Sequence, residues 1–512
     1  MKARYVQTAA ILMAASVASR LLGYVRDIVL VAFFGQSVLT DAYYAAFTLP
    51  DLLYGLVVGG ALGPIFIPVF SGYLAKGEEA EGHLVANSAI NMVLLAMLAG
   101  MSLGFVLAPQ LISVLVPGFA PEVAALAVKM TRIMLLQALF MALSGLAMGI
   151  LNSYGQYGPS ALGSVMYNLG TVVLGVALAP RWGIAGFAAA VVGGVAAYFF
   201  VQLPALRRTA WRWRPQLAWQ HPGVRKIRQM LGPILLGFSV SQLNVLVSQN
   251  LASTLDGGLL TALRMAQRMM QLPIGIFAIN IAIAIFTTMT RQAASGDDSG
   301  YKATFRQGLE AIWLLSLPAA AGLVALRLPL AGLLYGVGQN SQQMVEATAS
   351  LLVVYALGLA AYASLHLLNR AFYALQDTKT PMLIGIVTVG VNILLSLLWR
   401  PSGGQYGLAC AYTAAGTINM FLLLGLLYRR IGAFGGRHLL RTALIGTSCS
   451  LGMLLIVRLL MIAVEAGGLD PWSKSGQLIE VVVGIVTGVA SYAIFLKKVG
   501  GYPLRELMKR GR

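Results

Sequence analysis

The sequence predicts an all-α polytopic membrane protein of about fourteen transmembrane helices. Of its 512 residues, 58% are hydrophobic and only 10% charged, against about 25% charged in soluble domains. Mean hydropathy is +0.79. Apolar blocks follow one another along the chain, each long enough to cross ~30 Å of hydrocarbon as a helix. A water-soluble multidomain enzyme, a disordered chain and a disulfide-stapled secreted protein are excluded. Continuous blocks, rather than short alternating segments, also argue against a β-barrel.

The first block, 6–34, begins after Lys2 and Arg4 and ends at Gly35. Its basic, apolar opening looks like a signal peptide, but it runs through Arg20 without a cleavage site, so it is expected to be the first span. The second, 40–71, contains Pro50; an acidic connection at 76–81 separates it from the third, 86–109. Pro121 opens the fourth, 121–151. The fifth and sixth are 158–179 and 183–204. A basic connection leads to 227–252, followed by 258–290, 307–335 and 344–370. The blocks 380–399 and 405–428 follow, and 439–463 and 477–496 complete the series.

Lysine and arginine set the orientation, because cytoplasmic loops hold the excess. With the N-terminus inside, 25 basic residues fall in inner connections and tails, and three (Arg181, Arg400 and Lys474) in outer ones. Both termini are therefore expected to be cytoplasmic. The formal net charge of +19 is mostly this bias, together with attraction to an anionic inner leaflet. Nucleic acid is not an expected partner: the largest basic cluster, 207–228, is a single loop, and its Trp211, Trp213 and Trp219 fit an interfacial anchor. Cys410 and Cys449 lie inside apolar blocks, and the four histidines are scattered. No redox or metal site is expected from them.

The chain repeats itself. Leu49-Pro50 corresponds to Leu272-Pro273, an offset of 223, and WGIAGFAAAVVGG at 182–194 corresponds to YGLACAYTAAGTI at 406–418, an offset of 224. Pro109 and Pro329 correspond at an offset of 220. Six spans per repeat is an even number, so the halves enter from the same side and are related by a pseudo-two-fold axis along the membrane normal. Two six-helix lobes are expected, 1–222 and 223–430, with a cavity between them. Residues 431–512 add two helices and a basic cytoplasmic tail.

Charges inside hydrocarbon cost about 2.5–3.5 kcal/mol each even on the mild insertion scale, and so require a reason. The first span holds Arg20, Arg26 and Asp27. Seven residues is almost two turns, so Arg20 and Asp27 share a face while Arg26 points away by about 100–120°. The second span has Asp41 near its outer end and Asp51 after Pro50. The eighth holds Arg264 and Arg268, one turn apart. Structural ion pairing or snorkelling is preferred for Lys129, Arg327 and Arg458; Arg132 stays open between the two readings. For Arg20, Arg26, Arg264 and Arg268, spare guanidinium charge suits a phosphate-bearing ligand, because the planar fork binds phosphate oxygens bidentately. There is no Walker A sequence and no Ser/His/Asp grouping that can be placed together, so an ion gradient, the membrane potential or a substrate gradient must drive any transport.

The segment SRLLGYVRDIVLVAFFGQSVLTDAYYAAFTLPDLL (19–53) resembles the opening signature of the MurJ (MviN) family of lipid II flippases. PGFAP (117–121), ILNSYGQYGPSALGSVMYN (150–168), LGPILLGFSVSQLN (231–244), AQRMMQLPIGIF (266–277) and YALQDTKTP (373–381) extend the resemblance in order along the chain. The wider group is the multidrug/oligosaccharidyl-lipid/polysaccharide exporter superfamily. The resemblance implies a monomeric flippase, not an enzyme, of the bacterial cytoplasmic membrane. It would move undecaprenyl-diphosphate-linked peptidoglycan precursor from the inner to the outer leaflet by alternating access, in contact with membrane phospholipids and without a cofactor. Coupling to Na+, H+ or the membrane potential is implied as a possibility. Carried onto matching positions, the family's cavity residues are Arg20, Arg26, Asp27, Asp41 and Arg268, and a groove for the lipid tail involves 439–463 and 477–496. Tyr54, three residues beyond Asp51, occupies the place of a third family arginine. Gly59, Gln267 and Gln271 stand where acids are common. Asp377 is the one cation-site candidate. Rival expectations are an exporter of another polyprenyl-linked glycan, a MATE-like cation or drug antiporter, and a transport-inactive paralogue.

Overall fold

A computed structural model describes residues 2–56, 65–467 and 470–500. Gly59 and the basic tail from 501 lie outside the described residues. Sixteen α-helices and no strands are found among those described. In chain order they are α1 Lys2–Phe34, α2 Val38–Tyr54, α3 Ile67–Ala75, α4 Glu79–Leu115, α5 Pro121–Ser153, α6 Gly158–Arg208, α7 Pro222–Ala252 and α8 Leu259–Pro273. The series continues with α9 Ile279–Ser295, α10 Asp298–Ala325, α11 Arg327–Tyr335, α12 Gln342–Leu357, α13 Leu359–Ala374, α14 Lys379–Ile431, α15 Gly436–Ala466 and α16 Lys474–Gly500. A π-helical turn, Ile274–Ala278, joins α8 to α9.

Eight of the described helical stretches are long and apolar enough to cross a membrane, and the pair α12 and α13, bent by 46°, adds a ninth. Two of the eight, α6 and α14, each contain two expected crossings. Each folds back at one glycine, Gly183 (φ +60°) in α6 and Gly404 (φ +51°) in α14. The left-handed backbone favours glycine there. The expected ninth span, 307–335, is broken at Leu326 between α10 and α11, and the expected tenth is broken at Gly358.

The chain divides into two compact units, Met1–Gly258 and Leu259–Arg512. The repeat places α7 at the start of the second half, yet α7 packs with the first unit. Its Val224 and Ile227 join Phe70, Val85, Ala138 and Leu146 in one buried cluster. Apolar burial thus holds α7 against α3, α4 and α5.

Within the first unit, α5 packs on α2, α4 and α6, and α1 lies along α6. Trp211 corrects the expectation of an interfacial anchor: it is buried in the α3–α4–α5 cluster. The loop that carries it lies against α4. Asn87 donates to the Arg212 carbonyl (3.1 Å), and Asn91 to those of Arg214 (2.8 Å) and Gln216 (2.9 Å). Trp213 donates its indole N–H to Asn91 Oδ1 at 3.0 Å. The rings of Trp213 and Trp219 stay exposed.

In the second unit α15 packs along α10, and α16 packs on α15 and α11. Leu326, Met453, Val457 and Met461 form the seam between them. Many large apolar side chains on the opposite side of α15 and α16, such as Leu451, Leu455, Leu459, Val486 and Val489, are exposed. Hydrocarbon is the solvent for such a face.

Candidate functional site

The first unit builds its charged centre from α1, α2 and α6. A polar clasp holds α1 to α6. Ser19 donates to the Ser164 carbonyl (3.0 Å), and Asn168 donates to the Ser19 carbonyl (3.1 Å) and hydroxyl (3.2 Å). Two turns further along α1, Arg26 meets Tyr167, the residue beside Asn168. Its Nη1 donates to the Tyr167 hydroxyl at 2.9 Å, and its guanidinium carbon lies 5.6 Å from the ring centroid.

Asp27 completes the arrangement. Arg26 Nε and Nη2 both reach Asp27 Oδ1, at 3.3 and 3.2 Å. The Arg26 side chain is 15% exposed and that of Asp27 2%. Helical periodicity placed these two on different faces, but the long arginine side chain curls back to its neighbour. Arg20, expected to share a face with Asp27, is exposed. An arginine has five N–H donors, and three of them are engaged here among the described residues. Two are left for a ligand on a guanidinium whose plane is already set.

Behind Tyr167 the second arm of α6 packs unusually close. A side chain at Gly194 would come within 2.5 Å of the Tyr167 carbonyl. On α2, Tyr43 is buried and makes edge contacts with Tyr44, Phe47 and Phe187.

Asp41 is 3% exposed, and its Oδ2 accepts from the Gly258 backbone N–H at 2.6 Å. It holds the loop after α7 in place. Asp51 is exposed and accepts a long 3.5 Å bond from Gln137. Tyr54 is half-buried and packs against the cluster around Phe70. In the second unit Arg264 and Arg268 are both half-buried, and Met265, Ala266 and Met269 beside them are buried. Four residues is close to one turn, so the two arginines share the less buried face of α8. Each repeat continues its leucine-proline pair into π-helical backbone, from Gly55 after Pro50 and at Ile274 after Pro273.

Asp377 is fully occupied at the head of α14. Thr380 donates its backbone N–H to Oδ1 (2.9 Å) and its hydroxyl to Oδ2 (2.7 Å), and Arg430 pairs with Oδ2. These donors, the Thr380 backbone N–H foremost, hold the carboxyl below the usual carboxylate range. The geometry is that of a helix cap.

Arg132, left open by sequence, donates from Nε to the Phe105 carbonyl at 3.1 Å. No cluster of three or more His, Cys, Asp or Glu that could hold a metal ion is found among the described residues.

Sequence alone singles out neither Glu310 nor Glu480. Both are buried acids inside apolar blocks, and the cost of charge in hydrocarbon was the signal that could have found them. Glu310 lies 3.6 Å from Arg306 and 3.3 Å from His438, joining α10 to α15. Tyr167 carried no such signal, because a tyrosine in an apolar block is ordinary.

Residues 30–487 match the family model described as "Lipid II flippase MurJ". The probable lipid II flippase MurJ of Vibrio cholerae is 30% identical over 513 residues, covering 97% of this chain and 96% of that one. The lipid II flippase MurJ of Burkholderia cenocepacia is 31% identical over 427 residues, covering 81% and 82%. Among solved structures, a lipid II flippase MurJ in an inward closed conformation superposes with a TM-score of 0.80 at 25% identity, covering 96% of this chain and 99% of that one. A MATE family multidrug transporter in an inward-facing conformation gives 0.68 at 16% identity, covering 84% and 99%, which is a likeness of fold alone.

Proposed function

The chain belongs to the MurJ family of lipid II flippases, and on that footing we propose that it carries lipid II from the inner to the outer leaflet of the bacterial cytoplasmic membrane. It is a multi-pass membrane transporter and not an enzyme. The observation that carries this reading is the family match over residues 30–487. The side-chain geometry adds the mechanism.

Lipid II presents a diphosphate between an apolar tail and a bulky polar head. Arg20 and Arg26 in the first unit, and Arg264 and Arg268 in the second, are the cations assigned to the diphosphate. Arg26 offers two remaining N–H donors on a guanidinium oriented by Asp27 and Tyr167, so its binding costs little reorganisation. Asp27 and Asp41 act as positioning residues. Asp51 and Tyr54 are assigned to the same ligand path through their place on α2. The binding energy must favour an intermediate arrangement over either end state, because a flippase that holds its cargo tightly at one end does not turn over.

The termini are placed on the cytoplasmic side on the strength of the lysine and arginine distribution. The protein works as a monomer among phospholipids and needs no nucleic acid or cofactor. The membrane potential, or an Na+ or H+ gradient, supplies the drive.

The test is replacement of a host's own flippase by this chain, with lipid II in the outer leaflet measured by an impermeant label. Growth with restored labelling is the expected result. Growth failure with the protein present in the membrane overturns the assignment, and restored export of a different polyprenyl-linked glycan would replace it.

A further inference from the structure

We propose that the groove between α4 and α5 binds the phosphate of an anionic glycerophospholipid. Two adjoining hollows form this groove. One of about 520 Å³ is lined by Pro109, Lys129 and Arg132 with apolar neighbours, and one of about 370 Å³ by Met101, Val106, Arg132 and Leu136; Phe105 lines both. Lys129 and Arg132 are exposed, and no acid lines either hollow.

The arginine is already oriented. Pro109 lacks an N–H, so the Phe105 carbonyl four residues earlier has no intrahelical donor. Arg132 Nε takes that carbonyl at 3.1 Å, and its guanidinium carbon sits 4.8 Å from the Phe105 ring centroid. Among the described residues, Nη1 and Nη2 are not engaged by protein. They form an open fork of the kind that suits two phosphate oxygens, and Lys129 lies one turn nearer the helix start.

Depth selects the occupant. α5 has 33 residues, about 50 Å of helix, and so would overhang a ~30 Å hydrocarbon layer by about 10 Å at each end if centred on it. Lys129 and Arg132 lie roughly 12 and 16 Å below its first residue, at and just inside the hydrocarbon boundary on the side of the 116–120 loop. A hydrated inorganic ion gains nothing by entering there. A phospholipid phosphate sits just above this level, within reach of the two long side chains as they extend toward the interface, and its acyl chain can follow Val106 and Leu136. A lipid anion thereby offsets part of the charge of two cations that face lipid.

Native mass spectrometry of the full chain in detergent, titrated with phosphatidylglycerol or with uncharged diglucosyl-diacylglycerol, tests the proposal. One tightly retained phosphatidylglycerol and no retained glycolipid are expected. Lys129→Gln, which breaks no hydrogen bond or ion pair among the described residues, should weaken retention about fivefold, equivalent to the ~1 kcal/mol that a basic residue contributes near anionic lipid. Lys129→Gln with Arg132→Gln should weaken it more than tenfold. Unchanged retention in Lys129→Gln, equal retention of the glycolipid, or displacement of phosphatidylglycerol by a stoichiometric amount of lipid II would each overturn the proposal.

Discussion

The hydroxyl of Tyr492 on α16 donates at 2.9 Å to the Leu314 carbonyl on α10, the carbonyl that Pro318 leaves without an intrahelical partner. Proline both permits a bend and exposes a backbone acceptor, and in hydrocarbon that acceptor must find a donor within the protein. Arg132 does the same for the carbonyl freed by Pro109. Pro318 and Pro109 are thus each coupled to a polar residue on a neighbouring helix. Tyr492→Phe should therefore lower stability by about 1 kcal/mol, read as a lower midpoint of thermal unfolding in detergent with transport retained. An unchanged midpoint would mean that the carbonyl is satisfied in another way.

Arg26 should depend on its fork rather than its charge alone. Arg26→Ala is expected to abolish complementation of a flippase-depleted strain, and Arg26→Lys to restore it only in part, because the amine cannot span Asp27 and Tyr167 together. Tyr167→Phe removes one hydrogen bond to a charged group and should slow transport roughly tenfold. Normal growth of the alanine variant at native expression would make Arg26 a structural group.

The second unit carries a paired expectation. Arg268→Ala should abolish transport and Arg264→Ala should impair it. Adding Tyr54→Arg to Arg264→Ala should recover part of the loss, since it restores a cation where the family usually has one. Outer-leaflet lipid II labelling measures all three. Full activity of Arg264→Ala would remove that arginine from the ligand path.

Topology is tested by single cysteines in a background lacking Cys410 and Cys449. Asp256→Cys and Ser475→Cys, both exposed, should react with an impermeant thiol reagent in intact cells, while Trp213→Cys should react only after the membrane is opened. The opposite pattern reverses the orientation. Ser253 and Trp211, equally reasonable sites from sequence, are buried and would give silence on either side.

Acid should release the cap of α14. Asp377 titrates below the usual carboxylate range in the fold, chiefly through the Thr380 backbone N–H and then through the Thr380 hydroxyl and Arg430. A depressed pKa contributes stability above the unfolded value near pH 4, and this is lost as the pH falls through the folded value. The unfolding midpoint should drop on acidification below about pH 4, and Asp377→Asn should lower it at pH 7 and flatten that drop. An identical acid limb in the variant would assign the effect to another carboxylate.

The membrane class, and the separate crossings within α6 and within α14, were legible in the amino-acid sequence, whereas the glycines that carry the two folds, Gly183 and Gly404, were identified by the structure. Run length and hydropathy are local properties, and hydrocarbon allows few answers to a long apolar run. The two leucine-proline pairs that the sequence aligns both lead into π-helical backbone. The breaks at Leu326 and Gly358 were not legible, because apolar character continues across them.

Partnership was decided by tertiary structure. The cost of charge in hydrocarbon marked Arg26, Asp27 and Asp41 as residues needing a reason, but the reasons lie far away in sequence: Tyr167 for Arg26, and the Gly258 backbone for Asp41. Trp211 looked interfacial within a basic loop and is instead core, because α4 offers Asn87 and Asn91 to hold that loop's backbone. Helical period states which face a Cβ leaves from. Where a flexible guanidinium comes to rest depends on which helices pack beside it, and that is a property of the assembled fold.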